Sequence, residues 1–108
     1  MQTRTHWETT KSPERWTVRV HGELDLDTGP RLRGYLATLV GRCPGVLALD
    51  LSEVTFCDSS GLQSLLATRR RARLLERPLV VVLEKDGRMH RLLELCGVAE
   101  LFDLELTP

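Results

Sequence analysis

The sequence predicts an α/β domain with a single mixed β-sheet of four to five strands and helices packed against it. Three observations predict it. Two runs, Val46–Leu51 and Pro78–Leu83, are almost continuously apolar, as strands buried on both faces are. Helix-period stripes stand before, between and after them, and strands alternating with helices imply crossover connections and parallel pairing. An alternating stretch near the N-terminus, with a polar turn ahead of it, adds a hairpin and makes the sheet mixed. The 108 residues suffice for one such domain, 1–108, around one core.

The hairpin comes first. His6–Thr10 and Arg15–His21 flank the polar turn Lys11-Ser12-Pro13-Glu14. Trp16, Val18 and Val20 alternate with Arg15, Thr17, Arg19 and His21, the period of a half-buried strand. Gly22-Glu23-Leu24-Asp25 follows. Thr28 or Asp27 then suits a helix N-cap, and Pro30 suits the first turn. Leu32, Tyr35, Leu36, Leu39 and Val40 fall at i, i+3, i+4, i+7 and i+8, an amphipathic stripe that Gly41 is placed to end.

Pro44-Gly45 bounds the strand Val46–Leu51, and a second helix is expected from Ser59. Leu62, Leu65, Leu66 and Ala72 share one face of it, with Arg69 and Arg73 falling near that face. Either the arginine stems cover apolar surface while their heads reach water, or the inward face is short. After Pro78–Leu83, Asp86 is placed to cap a third helix with Met89, Leu92, Leu93 and Cys96 on one face. Gly97 stands where a left-handed C-terminal residue belongs. A last short strand is expected near Leu101–Leu106.

Composition narrows the function classes. Fifteen Lys and Arg balance fifteen Asp and Glu, so the net charge is zero. That removes the electrostatic reason to expect nucleic acid or an anionic membrane as partner. Lys11 and Lys85 are the only lysines. Cys43, Cys57 and Cys96 are odd in number and lack CxxC spacing, so neither a metal site nor a disulfide framework follows. They read as small buried hydrophobes in a reducing compartment. The N-terminal MQTRTHWETT lacks the apolar stretch of a signal peptide, and the longest apolar run, Leu79–Leu83, is too short to cross a bilayer. A cytoplasmic location is expected.

One stretch carries the functional question. Cys57-Asp58-Ser59-Ser60-Gly61 lies where a strand gives way to a helix. Asp58 can simply cap that helix, its carboxylate accepting from the free N–H groups of the first turn. A strand-to-helix turn with serine is also the setting of a nucleophile elbow, which wants Gly-x-Ser-x-Gly. Cys57 replaces the first glycine, and none of His6, His21 and His90 follows an acid in a late loop. The third reading is phosphorylation: a helix N-terminus favours added negative charge, and a phosphate beside Asp58 would repel a docked partner without unfolding the domain. Local physics leaves these three open.

Three blocks together resemble the STAS domain, specifically the stand-alone bacterial anti-sigma factor antagonists. The first is Gly22-Glu23-Leu24-Asp25, with Thr28 at a helix start. The second, and most specific, runs from Leu49 to Leu62 and contains Asp58-Ser59-Ser60-Gly61. The third is Met89 to Val98, ending before Leu101-Phe102. Gln63 and Ser64 depart from the usual small or aliphatic residues, while Asp58, Ser59 and Gly61 are intact.

The resemblance implies that Ser59 is phosphorylated by a partner that is both anti-sigma factor and serine kinase. The bare form would bind that partner and free the sigma factor; a serine phosphatase would restore it. A partner-binding surface of Asp25, Thr28, Asp58, Ser59, Ser60, Gly61 and Leu62 is implied, in a monomer or weak dimer. No catalytic residue, metal ligand or cofactor is implied, since ATP and Mg²⁺ would belong to the kinase. The rivals are a scaffold subunit of a larger stress-signalling assembly and a small serine hydrolase. The run Arg69-Arg70-Arg71-Ala72-Arg73 reads as a solvated helix face, His21 and His90 as surface or edge residues, and Trp7 and Trp16 as core.

Overall fold

The structure, a computed structural model, describes residues 4–108; the first three residues of the expected domain lie outside it. The elements follow in the expected order. They are β1 (His6–Lys11), β2 (Arg15–Leu24), α1 (Thr28–Arg42), β3 (Val46–Cys57), α2 (Ser59–Leu74), β4 (Leu79–Glu84), α3 (Arg88–Leu95), a 3₁₀ turn (Ala99–Leu101) and β5 (Asp103–Thr107). The five strands form one sheet in the order β1-β2-β3-β4-β5. β1 is antiparallel to β2, and every later pair is parallel.

Each crossover steps to the next strand in the same direction. Right-handed connections then place all three helices on one face of the sheet. The core lies there: Val18, Val20, Leu47, Leu49, Leu51, Val81 and Leu83 alternate along the strands and meet Leu32 and Leu36 of α1, Leu65 of α2 and Leu93 of α3. Each fully buried leucine contributes roughly 1.5–3 kcal/mol. Trp7 and Trp16 are half-buried against this core, and Trp7 lies 5.9 Å from Tyr35 between ring centres.

Among the described residues no helix covers the opposite face, yet Ala48, Asp50 and Val82 are buried on it. Side chains do the covering. Arg15 of β2 reaches across β3 and β4 to Glu105 of β5 in a two-pronged pair, 3.0 Å at each contact. Burial alone would raise the Asp50 carboxyl. Bonds from the Ser52 hydroxyl (2.5 Å), the Ser52 N–H (3.0 Å) and Arg19 Nε (3.1 Å) outweigh it and hold the group below its ordinary value. The continuous apolar runs are thus buried on both faces for two different reasons.

Several local expectations are corrected. β3 continues six residues past Leu51, with only β2 alongside its last part, so its apolar pattern thins while its pairing persists. Gly41 does not end α1; the helix stops at Cys43, which adopts the extended backbone that Pro44 imposes on the residue before it. Asp86 does not cap α3. It takes a left-handed φ of 61°, Gly87 occupies the N-cap position, and the Asp86 N–H donates to His90 Nδ1 at 3.0 Å. His90 is therefore a buried structural residue, while His21 stacks on His6 at the hairpin edge. Of the cysteines, only Cys43 is buried; Cys96 lies past the end of α3 and is exposed. Gly97 is left-handed, as expected, with φ 71°. Among the described residues, no helix is long and apolar enough to cross a membrane.

Candidate partner-docking corner

Two parallel strands end side by side. Leu24 closes β2 opposite Cys57, which closes β3, and the Asp58 N–H donates to the Leu24 carbonyl at 3.1 Å. Both chains then turn into helices, so α1 and α2 begin next to each other. All seven residues expected to form a partner surface are brought to this corner.

The first helix start is built on Asp25. Its Oδ1 accepts from the Asp27 N–H (3.0 Å), the Thr28 N–H (2.9 Å) and the Thr28 hydroxyl (2.9 Å). That hydroxyl also lies 2.7 Å from the Glu23 carbonyl and accepts from the Asp25 N–H at 3.0 Å. The cap expected of Asp27 or Thr28 thus falls to Asp25, and Asp27 makes no side-chain cap. The Thr28 N–H, then its hydroxyl, hold the Asp25 carboxyl below the usual carboxylate range.

The second helix start follows the sequence reading. Asp58 is extended, its Oδ1 accepts from the Gly61 N–H at 3.0 Å, and its carbonyl accepts from the Leu62 N–H at 2.9 Å. Ser59 and Ser60 keep N–H groups with no intrahelical partner. Ser59 is exposed, Ser60 and Leu62 are half-buried, and Thr28 and Gly61 are buried beneath them.

Glycine sets how closely the elements pack at this corner, Gly61 against the strand ends and Gly29 against α2. A Cβ on Gly61 would lie 2.5 Å from the Leu24 carbonyl oxygen and 2.8 Å from Cys57 Sγ. A Cβ on Gly29 would lie 3.0 Å from Ser64 Oγ and 3.2 Å from Gly61 Cα. Two helix N-termini therefore meet backbone to backbone, each with a carboxylate on it, and their combined partial positive charge faces the Ser59 side. Burial, then the charges of Asp58 and Cys96, push the Cys57 thiol up to about 11, so it stays a neutral thiol at ordinary pH.

Two exposed apolar residues flank this corner and escaped the sequence reading. Leu26, between Asp25 and Asp27, is 77% exposed, and Phe56 is 48% exposed. An isolated leucine between two aspartates in a helix-start loop was the available signal for the first. Phe56 offered none, because its side depends on the register of the β3 extension.

A mostly parallel sheet with two adjoining helix starts and a serine on the second defines a class. The chain belongs to the STAS domain family: the model described as "Mlab, STAS domain" matches residues 7–106. It is similar to the anti-sigma-B factor antagonists of Listeria monocytogenes and Listeria innocua, in each case 30% identical over 88 residues, which span 82% of this chain and 76% of the relative. The crystal structure of an anti-sigma factor antagonist from Mycobacterium paratuberculosis superposes with a TM-score of 0.83 at 29% identity, covering 96% of this chain and 89% of that one. The anti-sigma factor antagonist SpoIIAA in its unphosphorylated form gives a TM-score of 0.68 over 97% of this chain and 88% of that one. At 17% identity that likeness shows the fold alone.

Proposed function

We propose that the chain is a cytoplasmic anti-sigma factor antagonist whose Ser59 corner docks an anti-sigma factor with serine kinase activity. Phosphorylation of Ser59 by that partner ends the docking, and a serine phosphatase restores it. The supporting observation is the exposed Ser59 on the first turn of α2, beside unpartnered N–H groups and above a tightly packed floor. The relatives named as anti-sigma factor antagonists support the partner class.

The electrostatics separate folding from binding. A helix N-terminus stabilises an anion by about 0.3–1 kcal/mol, up to ~2. Phosphoserine adds roughly −1.5 to −2 charges, which Asp58 opposes. The two effects are of similar size, so the domain stays folded. A partner seated over Leu26 and Ser59 must instead desolvate the new charge against Asp58. Like-charge juxtaposition of that kind costs several kcal/mol, and roughly 4 kcal/mol weakens binding about a thousandfold. The three histidines bond elsewhere: His6 to the Arg4 carbonyl, His21 to Glu8 and His90 to the Asp86 N–H. That favours a binding module over a serine hydrolase.

The test combines the protein with a candidate kinase and ATP. Mass spectrometry is expected to find one phosphate, on Ser59. Ser59→Ala binds without modification, and Ser59→Asp loses binding while melting near wild type. A Ser59→Asp protein that unfolds, or one that still binds, defeats the proposal.

A further inference from the structure

α2 carries two stripes at helical spacing. The first, Gly61, Ser64, Leu65, Thr68 and Ala72, is the buried one. The second runs Leu66, Arg69, Arg70, Arg73 and Leu74, at i, i+3, i+4, i+7 and i+8. That is the spacing of a face that packs, yet Leu74 remains 77% exposed. With Leu101 of the 3₁₀ turn, the second stripe lines a groove, and Arg69 Nε donates to the Leu101 carbonyl across its base.

The charge here is only partly answered: Glu100 and Asp103 share an adjoining cavity with Arg69 and Arg73, but among the described residues neither forms an ion pair with them. Residues 69–77 hold five arginines and a single acid, Glu76, so the zero net charge of the chain conceals a local excess. Among the described residues, none of Arg69, Arg70 and Arg73 enters an ion pair, while Arg15, Arg19 and Arg31 do. Leu66 packs in part against the core, and reading the run as a solvated face explains the charge but not the exposed Leu74 and Leu101.

We infer that this groove docks an acidic amphipathic helix of a protein partner. Its apolar side chains lie against Leu66, Leu74 and Leu101, and its carboxylates meet Arg69, Arg70 and Arg73. The guanidinium fork matches a carboxylate in two-pronged fashion. Exposed ion pairs alone contribute little, so the apolar strip must supply affinity while the arginines choose the partner. Single-stranded nucleic acid would need aromatic platforms, which these residues do not offer. A bilayer surface is flat and does not follow a groove between a helix and a turn. Along the axis of α2 the site runs from about 10 Å past Ser59, at Leu66, to about 22 Å, at Leu74, so most of it works independently of the phosphorylation corner.

The test uses the full chain and a labelled synthetic helix with leucines at i, i+3, i+4 and i+7 flanked by glutamates. A scrambled peptide of equal composition is the control. The helix is expected to bind at least about tenfold more tightly than the control, with salt weakening it. The double variant Arg70→Glu, Arg73→Glu lowers affinity at least about tenfold and melts near wild type, because both side chains are exposed and unpaired. Ser59→Asp changes affinity less than about twofold. NMR shifts concentrate on Leu66, Arg70, Leu74 and Leu101. Equal binding of the scrambled peptide, full binding by the charge-reversed protein, or shifts elsewhere overturns the inference. So does tighter binding of phosphatidylglycerol vesicles or polyuridylate than of the helix. Loss of binding in Ser59→Asp would show one continuous surface and overturn the independent site.

Discussion

The α1–α2 pair is built differently at its two ends. Where the helices begin, Gly29 and Gly61 let backbone meet backbone, and a single added methyl on Gly61 has nowhere to go. Farther along, side chains make the contact: Arg71 Nε reaches the Ala37 carbonyl at 3.3 Å, and Arg77 Nε reaches that of Val40 at 3.3 Å. Gly34 and Gly41 stand in open space, with no atom within 4 Å of an added Cβ. The tight end carries the serine and the two capping carboxylates; the loose end carries the arginines. Close packing at the first end fixes where Ser59 is presented. At the second, Arg71 and Arg77 are engaged, while Arg70 and Arg73 line the groove beside Leu101 and are left to meet something else.

The largest expected effect comes from pushing the start of α2 off the strand ends beneath it. Gly61→Ala gains some helix propensity, but its Cβ meets a carbonyl oxygen that cannot rotate aside. Overpacking of this kind costs typically 1–3 kcal/mol, roughly 4–8 °C in Tm per kcal/mol for a domain of this size. A thermal melt checks it; an unchanged Tm would mean that the start of α2 does not lie against the Leu24 carbonyl at the end of β2.

Next in size is the cap on the second start. Asp58→Ala leaves the Gly61 N–H without its acceptor and is expected to cost about 1 kcal/mol, within a range of about 0.5–2. Asp58→Asn retains a side-chain oxygen and recovers most of the loss. Urea unfolding of the two variants separates the cap from the charge; equal losses would assign the role to charge.

Asp25 sharpens the comparison through pH. Its folded carboxyl is held below its unfolded value of about 3.9 by Thr28. The stability it adds is therefore present above that value and lost as pH falls through the lower, folded one. The gap in urea midpoint between wild type and Asp25→Asn is expected to be full at pH 7 and to close in acid below about pH 4. A gap of constant size would detach Asp25 from the Thr28 bonds.

Which parts of this arrangement were legible beforehand follows from the range of the forces. Asp58 was readable as a cap because its acceptor role is satisfied three residues away, within one turn. The strand runs and the α1 stripe were readable because burial imposes a period. Asp25 was missed as the first cap because Asp27 and Thr28 stand closer to the helix, and only the turn geometry decides which oxygen faces the N–H groups. Arg69 and Arg73 fall near the leucine face because, apart from Leu65, the inward face of α2 is made of Gly61, Ser64, Thr68 and Ala72, small residues that only a close neighbour explains. That neighbour is α1, brought in by a sheet order that no local pattern encodes. His90 was placed at the surface for the same reason: its partner is a backbone N–H exposed by the left-handed Asp86.

The smallest effect tests the loose end, and its sign differs from the first. Gly34 lies inside α1, is exposed, and an added Cβ there touches nothing. Glycine in a helix interior costs about 0.5–1 kcal/mol relative to alanine, because its unfolded chain has more freedom to lose. Gly34→Ala is therefore expected to stabilise the domain by that amount and to raise Tm by a few degrees. The same substitution thus acts in opposite directions at two glycines of one helix pair, decided by whether space exists rather than by helix propensity. Calorimetry on Gly34→Ala, Gly61→Ala and the double variant reads both signs at once. The sites share no partner atom, so their effects should add within about 0.5 kcal/mol. A destabilising Gly34→Ala would mean that α1 and α2 are as close at that level as at their N-termini, and the distinction between a tight end and a loose end would fall.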